Sequence, residues 1–489
     1  MTSVVSNGHA SKPTRNGNST TTITRETINE QRRRLDHEAD VVIIGAGVLG
    51  CALAVTLGRQ GRSVILLEAS MKEPDRIVGE LLQPGGVNAL EALGLRDCLD
   101  DIDAIPVEGY YVTYFGNPVN IPYPKEPSPL TSSPDAVAEG RSFHHGRFVG
   151  KLRAAVKECP NVSIVETKAT DLITCSYTNQ VLGVDCVTKD QMRDCYFASL
   201  TVVSDGYNSK FRKQHHNYTP QMRSRFWGLE LIDAKLPKPH HGHVLLNSDK
   251  PPVLVYQIGT HETRILIDVP ENLPSASIKN GGVKGHLRNV VIPSLPECLQ
   301  PSVLEALERG PLRSMPNSFL PAATNKTPGL MLLGDALNMR HPLTGGGMTV
   351  ALNDVVFIRD LLSPEKVPNL AHTNRVLKQL SVFHWQRKKA SSVINILAQA
   401  LYSLFAADGN SLPFSSQTNK QTQTDEKNQN RRTSPCPPTR LLPLLRIRLL
   451  PRSRQHALRP PPTPLRPLLA LLLRCLSCAM ADPLRRSAV

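Results

Sequence analysis

No apolar stretch in this 489-residue sequence reaches the ~18–20 residues that a membrane-spanning helix needs. As written, the chain has no transmembrane span. Its 10 cysteines are scattered, and none of those before residue 409 pairs at CxxC spacing. No signal-peptide pattern precedes them, so a reduced, cytosol-facing compartment is expected rather than a disulfide-built secreted domain. Cys475 and Cys478 form CLSC, but without a second ligand pair nearby the spacing does not make a zinc site. His144 and His145 do not make one either, since neighbours on a strand point to opposite faces. The HHGH group around His240, placed in an irregular loop by Pro237 and Pro239, also reads as structural, and no metal is expected. Acidic residues are scarce at one end only. Lys and Arg total 57 against 42 Asp and Glu, a net charge of +15, yet residues 409–489 hold 14 basic and 3 acidic residues and carry +11 of it. The body is nearly balanced, so its charge gives no argument for nucleic-acid binding.

What is present is organised around Asp40 to Gly50, DVVIIGAGVLG, an apolar run ending in glycines at 45, 47 and 50 ahead of the helical pattern CALAVTLGRQG. Gly45 permits a tight turn, Gly47 lets a pyrophosphate approach the backbone, and Gly50 lets helix and strand pack closely. A second strand, SVILLEAS, ends in Glu68, 18 residues past the last glycine, where a carboxylate can accept both hydroxyls of an adenosine ribose. A lone G-x-G-x-x-G is weak. Strand, helix, second strand and terminal acid in order make a dinucleotide cradle.

Residues 1–36, rich in Ser, Thr, Asn and Arg, read as a disordered leader. After the cradle, Pro84 with Gly85 and Gly86 breaks the chain before a short amphipathic helix ending at Gly94. Arg76 precedes this break, either beside the dinucleotide or as an exposed loop arginine. Gly109 to Tyr123 alternate as strands, and RSFHHGRFV leads into a helix with Arg147 at its start and Leu152, Ala155 and Val156 on one face. The strand SLTVVSDG ends in Asp205, a carboxylate at a sheet edge where ligands bind or simply a turn aspartate. From Phe226 to Val269, strands joined by turns predict a second, antiparallel sheet that serves as a substrate platform. In GLMLLGDALNMRHPLTGGGMTVALNDVVFIRDLL a buried strand ends in Gly334 and Asp335, and Gly345 to Gly347 open a helix. Its unpaired amides can stabilise negative charge developing on a ring above them, as a reduced flavin requires, while Asp335 holds a polyol linker or its phosphates.

The GAGVLG cradle with Glu68, the SDG strand end and the LLGDA loop together resemble the FAD-dependent monooxygenases of the aromatic-hydroxylase type. Within that group, GELLQPGG, GRSFHHGRF and GDALNMRHPLTGGGMT closely resemble the squalene monooxygenase (squalene epoxidase) family in its fungal form, over about His37 to Asp408. The resemblance implies an α/β (α+β) fold: a Rossmann-like FAD-binding domain, an interleaved antiparallel-sheet substrate domain and a C-terminal helical segment. The FAD-binding parts fall at 37–105, 141–212 and 326–365, the substrate parts at 106–140 and 213–325, and the helical segment at 366–408. It implies FAD contacts at Val48, Leu49, Glu68, Ala69, Arg76, Arg147, Asp335, Gly346, Gly347 and Met348, and an active-site tyrosine at Tyr110. On its residues alone, Tyr110 is equally a packed aromatic on a strand.

The same resemblance implies conversion of squalene to 2,3-oxidosqualene in sterol synthesis, with O2 as oxidant. NADPH electrons would arrive through a separate microsomal flavoprotein reductase, at the cytosol-facing surface of the endoplasmic reticulum membrane. An alkene offers neither an acidic proton nor a carbonyl, so the cofactor must supply the electrophile and no general base is named. After Asp408 the sequence departs from the family. It becomes polar and then a mixture of Arg, Pro and Leu in which prolines interrupt any helix, so 409–489 read as disordered, non-native coding from a retained intron and shifted frame. The preceding KKASSVINILAQALYSLFAAD is expected to be an amphipathic helix with Val393, Ile396, Leu397, Leu401, Leu404 and Phe405 on its apolar side. Without the family's apolar helices it would lose its packing partners, and its exposed face is expected either to bind membrane or to promote aggregation. The alternatives are a catalytically impaired FAD-binding remnant and a flavin hydroxylase with another substrate.

Overall fold

A computed structural model describes residues 37–114, 116–125, 137–247 and 250–405, with Cys475 alone beyond them. The leader and the tail expected from the sequence lie outside the described residues. In chain order the strands begin β1 (Glu38–Ile44), β2 (Val64–Glu68), β3 (Leu81–Leu82), β4 (Ile105–Val107), β5 (Gly109–Tyr114) and β6 (Asn117–Pro122). They continue with β7 (Gly140–Ser142), β8 (Val162–Glu166), β9 (Lys168–Thr174), β10 (Val181–Val187), β11 (Arg193–Val203) and β12 (Gln221–Ile232). The last are β13 (His241–Asn247), β14 (Lys250–Gln257), β15 (Glu262–Pro270), β16 (Arg313–Phe319) and β17 (Leu330–Leu332). The helices are α1 (Val48–Arg59), α2 (Pro84–Ala92), α3 (His145–Lys157), α4 (Arg212–His215), α5 (Gly282–His286), α6 (Gln300–Arg309), α7 (Gly347–Leu361) and α8 (Thr373–Phe405).

Two large sheets carry the fold. In the first, the order is β8-β2-β1-β11-β10-β9, and β17 also pairs with β11. Strands β8, β2, β1, β11 and β17 run parallel, and the continuous apolar run Val41 to Ile44 is buried, as a parallel strand covered on both faces requires. Strand β11 is long enough to do two jobs: its first half pairs antiparallel with β10 and its last three residues pair parallel with β17. The second sheet has the order β16-β12-β15-β14-β13-β5-β6. It is antiparallel except where β13 meets β5 in parallel, a join that the expectation of a purely antiparallel sheet did not include. A three-stranded piece, β3-β7-β4, lies between them in the chain.

Alternation gives the second sheet two apolar faces. On β14 and β15, Val253, Val255, Ile265 and Ile267 enter a core closed by α6, while Leu254, Tyr256 and Leu266 enter a second core shared with α7 and α8. The latter core includes Ile394, Leu397, Leu401 and Tyr402 of α8. This corrects the expected apolar side of that helix: Ile396 faces solvent, 64% exposed, and Ile394 and Ala398 are fully buried in its place. The side chains of Leu404 and Phe405 lie outside those described. Among the described residues no helix is long and apolar enough to cross a membrane.

Three local expectations also change. Pro84, Gly85 and Gly86 do not break the chain before α2 but form its first turn, with proline at N1, where its missing N–H costs nothing. His144 caps α3 and His145 is its first residue, so the pair does not lie on a strand. His241 and His243 belong to β13, not to an irregular loop, because their backbone pairs with Gly109 and Tyr111 of β5.

Candidate active site

Leu67, Ile44, Val203 and Leu332 stand on one rung of the first sheet. The segments that follow these strands therefore meet at one edge: Glu68, Gly45 to Gly50, Ser204 to Gly206, and Gly334 with Asp335. Gly45 takes φ +102°, and a Cβ there would lie 2.7 Å from the Ser204 carbonyl oxygen. A Cβ on Gly50 would lie 1.9 Å from the Gly45 carbonyl oxygen, which is the close helix-to-turn packing expected of the third glycine. Neither residue lines the cavity. Gly47 does, and a Cβ there would meet nothing within 4 Å. The start of α1 has no side-chain cap and no acid in its first turn, so its amides remain available to an anion.

Glu68 bounds this turn. Its Oε2 accepts from the Ala46 amide at 2.7 Å and stands 3.4 Å from Arg153 Nη2. Arg153 is buried, and it also donates to the Ala46 carbonyl at 3.0 Å and the Lys72 carbonyl at 3.1 Å. The sequence reading missed it. The signal was an arginine set inside the apolar stripe Val149, Leu152, Val156 of α3. Arg147, on the same helix, points elsewhere: its side chain is 41% exposed with Nη1 3.8 Å from Asp103 Oδ2, and it is not part of the cavity wall. Six residues along a helix turn the side chain by roughly 120°, and of the two arginines it is Arg153 that stands beside Ala46 and Glu68. Arg76 does line the cavity, its guanidinium 5.7 Å from the Tyr207 ring centre. Ala69 is exposed beyond the strand end, and Asp205 lies behind the wall that Ser204 and Gly206 form, its carboxyl raised above the usual range by burial.

The opposite wall is the glycine-opened end of α7. Gly345 adopts φ +61°, Gly346 caps the helix without a side-chain bond, and Gly347, Met348 and Asp335 line the cavity. Tyr110, on β5, lines it as well, and its hydroxyl donates to the Thr344 carbonyl at 3.0 Å. Gln83 Nε2 reaches the same carbonyl at 3.2 Å, and Tyr123 donates to Gln83 Oε1. The tyrosine thus fixes the loop directly before the three glycines. Burial raises its phenol above the ordinary range, so it remains a donor rather than a base. From the second sheet, Val244, Leu254, Leu266 and Met315 complete the wall with apolar surface. His145 and His243 also reach it, and burial pushes each down to about 4, so both are neutral near pH 7.

Comparison with known proteins decides the family. The squalene epoxidase family profile matches residues 197–418, and an FAD binding domain profile matches residues 38–113. The chain is 75% identical over 379 residues to a squalene epoxidase of Aspergillus fumigatus, covering 77% of this chain and 78% of the relative. It is 49% identical over 398 residues to that of Gibberella zeae (78% and 79%) and 41% identical over 401 residues to that of Saccharomyces cerevisiae (76% and 79%). The chain belongs to the squalene epoxidase family. Among solved structures, PqsL of Pseudomonas aeruginosa in complex with 2-aminobenzoylacetate aligns with TM-score 0.62 at 19% identity, over 76% of this chain and 97% of that one. The myxobacterial chondrochloren halogenase CndH aligns with TM-score 0.63 at 16% identity, over 80% and 90%. These last two likenesses speak to the fold alone.

For a squalene epoxidase family member the cofactor is FAD, and the residues present fit it. The open space over Gly47 admits a pyrophosphate that any larger side chain would displace. The Glu68 carboxylate keeps acceptor capacity beyond its bonds to Ala46 and Arg153 through Oε2 and to the Ser70 amide through Oε1 at 3.1 Å. Two uncapped helix starts, those of α1 and α7, face the same cavity.

Proposed function

We propose that this chain converts squalene to 2,3-oxidosqualene at the cavity between its two sheets. The observation that carries the reading is the continuity of that cavity: the cradle residues Gly47, Val48, Arg76 and Met348 share one space with the apolar side chains Leu254, Leu266 and Met315. Gly47, Val48, Leu49, Glu68, Arg76, Asp335 and Met348 would hold FAD. Bound and reduced, FAD supplies an electrophilic oxygen atom from O2, and the other atom leaves as water. The second sheet's residues hold a terminal double bond of the hydrocarbon against this wall and keep water away. Tyr110 keeps the Thr344 carbonyl and the glycine-opened helix in place. It acts as a positioning donor, consistent with a reaction that needs no general base.

Electrons would come from NADPH through a separate microsomal flavoprotein reductase, at the cytosolic surface of the endoplasmic reticulum membrane. One face of α8 supports surface contact: Val382, Trp385 and Ile396 are exposed, and Lys388 Nζ stands 4.9 Å over the Trp385 ring. An exposed tryptophan beside lysines suits the boundary between headgroups and acyl chains. The test supplies FAD-loaded protein with NADPH, reductase, squalene and labelled O2. The expected product is oxidosqualene carrying one labelled oxygen. Flavin turnover with squalene recovered unchanged would overturn the assignment.

A further inference from the structure

Arg340 lines the cavity two residues after Asn338 and five before Gly345, and its three hydrogen bonds all go to uncharged acceptors. Its Nε donates to Asn395 Oδ1 at 2.7 Å, Nη1 to the Gly346 carbonyl at 3.2 Å, and Nη2 to Asn338 Oδ1 at 2.6 Å. Arg387 shares the same Asn338 oxygen at 3.2 Å. The buried carboxylate in this group, Asp354, is taken by Arg387, Nε to Oδ2 at 2.8 Å. Two guanidiniums therefore meet on one amide oxygen, and the one facing the cavity has no ion pair among the described residues. Burial and Arg387 push Arg340 down to about 10, which leaves it charged near pH 7. A guanidinium withdrawn from water costs free energy unless an anion answers it. Nothing in its hydrogen-bond set does so, and Asp335 and Asp354 attract it without an ion-pair contact.

We infer that Arg340 is the fixed positive charge that answers the negative charge FAD gains on reduction, setting the cofactor's preference for its reduced state. The inference rests on reading this cavity as the FAD site. It adds to the start of α7 a full charge whose position is fixed by Asn338, Asn395 and the Gly346 carbonyl. The helix start supplies only about half a unit of charge, spread over several amides. The bonds to Asn338 and Asn395 orient the guanidinium without neutralising it, as a carboxylate in either place would do.

The test compares the midpoint potential and the FAD content of four proteins: the unmodified chain, Arg340→Gln, Arg340→Lys and Asn395→Asp. Arg340→Gln is expected to lower the preference for reduced over oxidised FAD about tenfold, a shift of about 30 mV toward more negative potential for a two-electron couple. Arg340→Lys keeps the charge and is expected to stay within threefold of the unmodified chain. Asn395→Asp leaves the arginine in place but puts a carboxylate on its Nε, and it should shift the potential in the same direction as Arg340→Gln. It also decides the matter if Arg340→Gln fails to retain FAD. Unchanged potentials in Arg340→Gln and Asn395→Asp would overturn the inference. So would an equal shift in Arg340→Lys, which would assign the effect to hydrogen-bond geometry. Failure of the unmodified chain to hold FAD would overturn the reading of the cavity itself.

Discussion

Gly47 and Gly50 stand in one turn and have opposite tolerances. Gly47 has φ −86° and ψ −167°, a conformation open to any residue, and nothing lies within 4 Å of its Cβ position. Gly47→Val should therefore fold normally and lose FAD, read as an unchanged apoprotein melting curve without flavin absorbance. Gly50→Val drives a side chain onto the Gly45 carbonyl and should not yield folded protein at all. A yellow Gly47→Val protein would show that the pyrophosphate lies elsewhere. Glu68→Ala removes a charge-assisted acceptor and should weaken FAD by about 1–3 kcal/mol, measured by equilibrium titration. An unchanged affinity would reduce Glu68 to a clamp for Ala46 and Arg153. A third residue reports through pH. Asp268 is fully buried beside Asn317, and burial pushes its carboxyl up to about 6. An unfolded aspartate titrates near 3.9, so the folded state holds this proton more tightly. Its stabilising contribution is complete below about pH 4 and is lost as pH rises through about 6. The facing His341, 3.9 Å away, is pushed down to about 3 and stays neutral across this window. Relative to Asp268→Asn, which does not titrate, the parent chain should lose stability between pH 4 and 6. Parallel urea midpoints across that range would disprove the assignment.

At the scale of elements, the segment from Arg76 to Leu82 is tied to the second sheet by Ile77 in the apolar cluster and by a buried ion pair. Arg264 of β15 holds both Glu80 oxygens at 2.9 Å, and Tyr256 of β14 reaches Glu80 Oε2 at 3.4 Å. Removing one partner leaves a charge buried and unanswered, which costs about 3–5 kcal/mol. Arg264→Met should show that loss in chemical denaturation, and the double variant Glu80→Gln with Arg264→Met should regain much of it, since glutamine still accepts from Tyr256. Additive losses in the double variant would deny the coupling. This pair also marks the boundary of what was legible in the sequence. Strand ends and glycine turns are local: the fixed spacing of Gly45, Gly47, Gly50 and Glu68, and the strand-then-Asp endings at Asp205 and Asp335, announced the cradle edge without long-range information. Partners distant in sequence were not announced. Glu80 meets a residue 184 positions away, and Arg340 meets Asn395 across 55. The place of Arg153 beside Glu68 was not announced for the same reason, since a helix pattern gives a face but not what that face meets. His241 and His243 were misplaced because the prolines before them were read locally, whereas pairing with β5 settles their strand.

On the scale of the whole molecule, the cavity lies where the carboxyl edge of one sheet meets an apolar face of the other, and α8 helps close the core behind it. Ile394, Leu397, Leu401 and Tyr402 of α8 join Leu343 and Val350 in the buried cluster of the second sheet, and Arg387 of the same helix pairs with Asp354 of α7. The helix that sequence reading left without partners is therefore anchored at several points along its length. Likeness to the squalene epoxidases covers 77% of this chain in the Aspergillus fumigatus comparison, and the family profile stops at residue 418. The residues beyond carry most of the net charge. If they contribute nothing to the cavity, a chain ending at Asp408 should bind the same amount of FAD as the full chain. With squalene, NADPH and reductase, it should also divide its oxygen consumption between oxidosqualene and hydrogen peroxide in the same ratio. That ratio is the sensitive quantity, because epoxide forms only while water is kept from the reacting oxygen. A chain shortened at Asp408 that keeps its flavin but turns more of its oxygen into peroxide would show that residues 409–489 cover the cavity, and that their sequence is working sequence rather than a shifted frame.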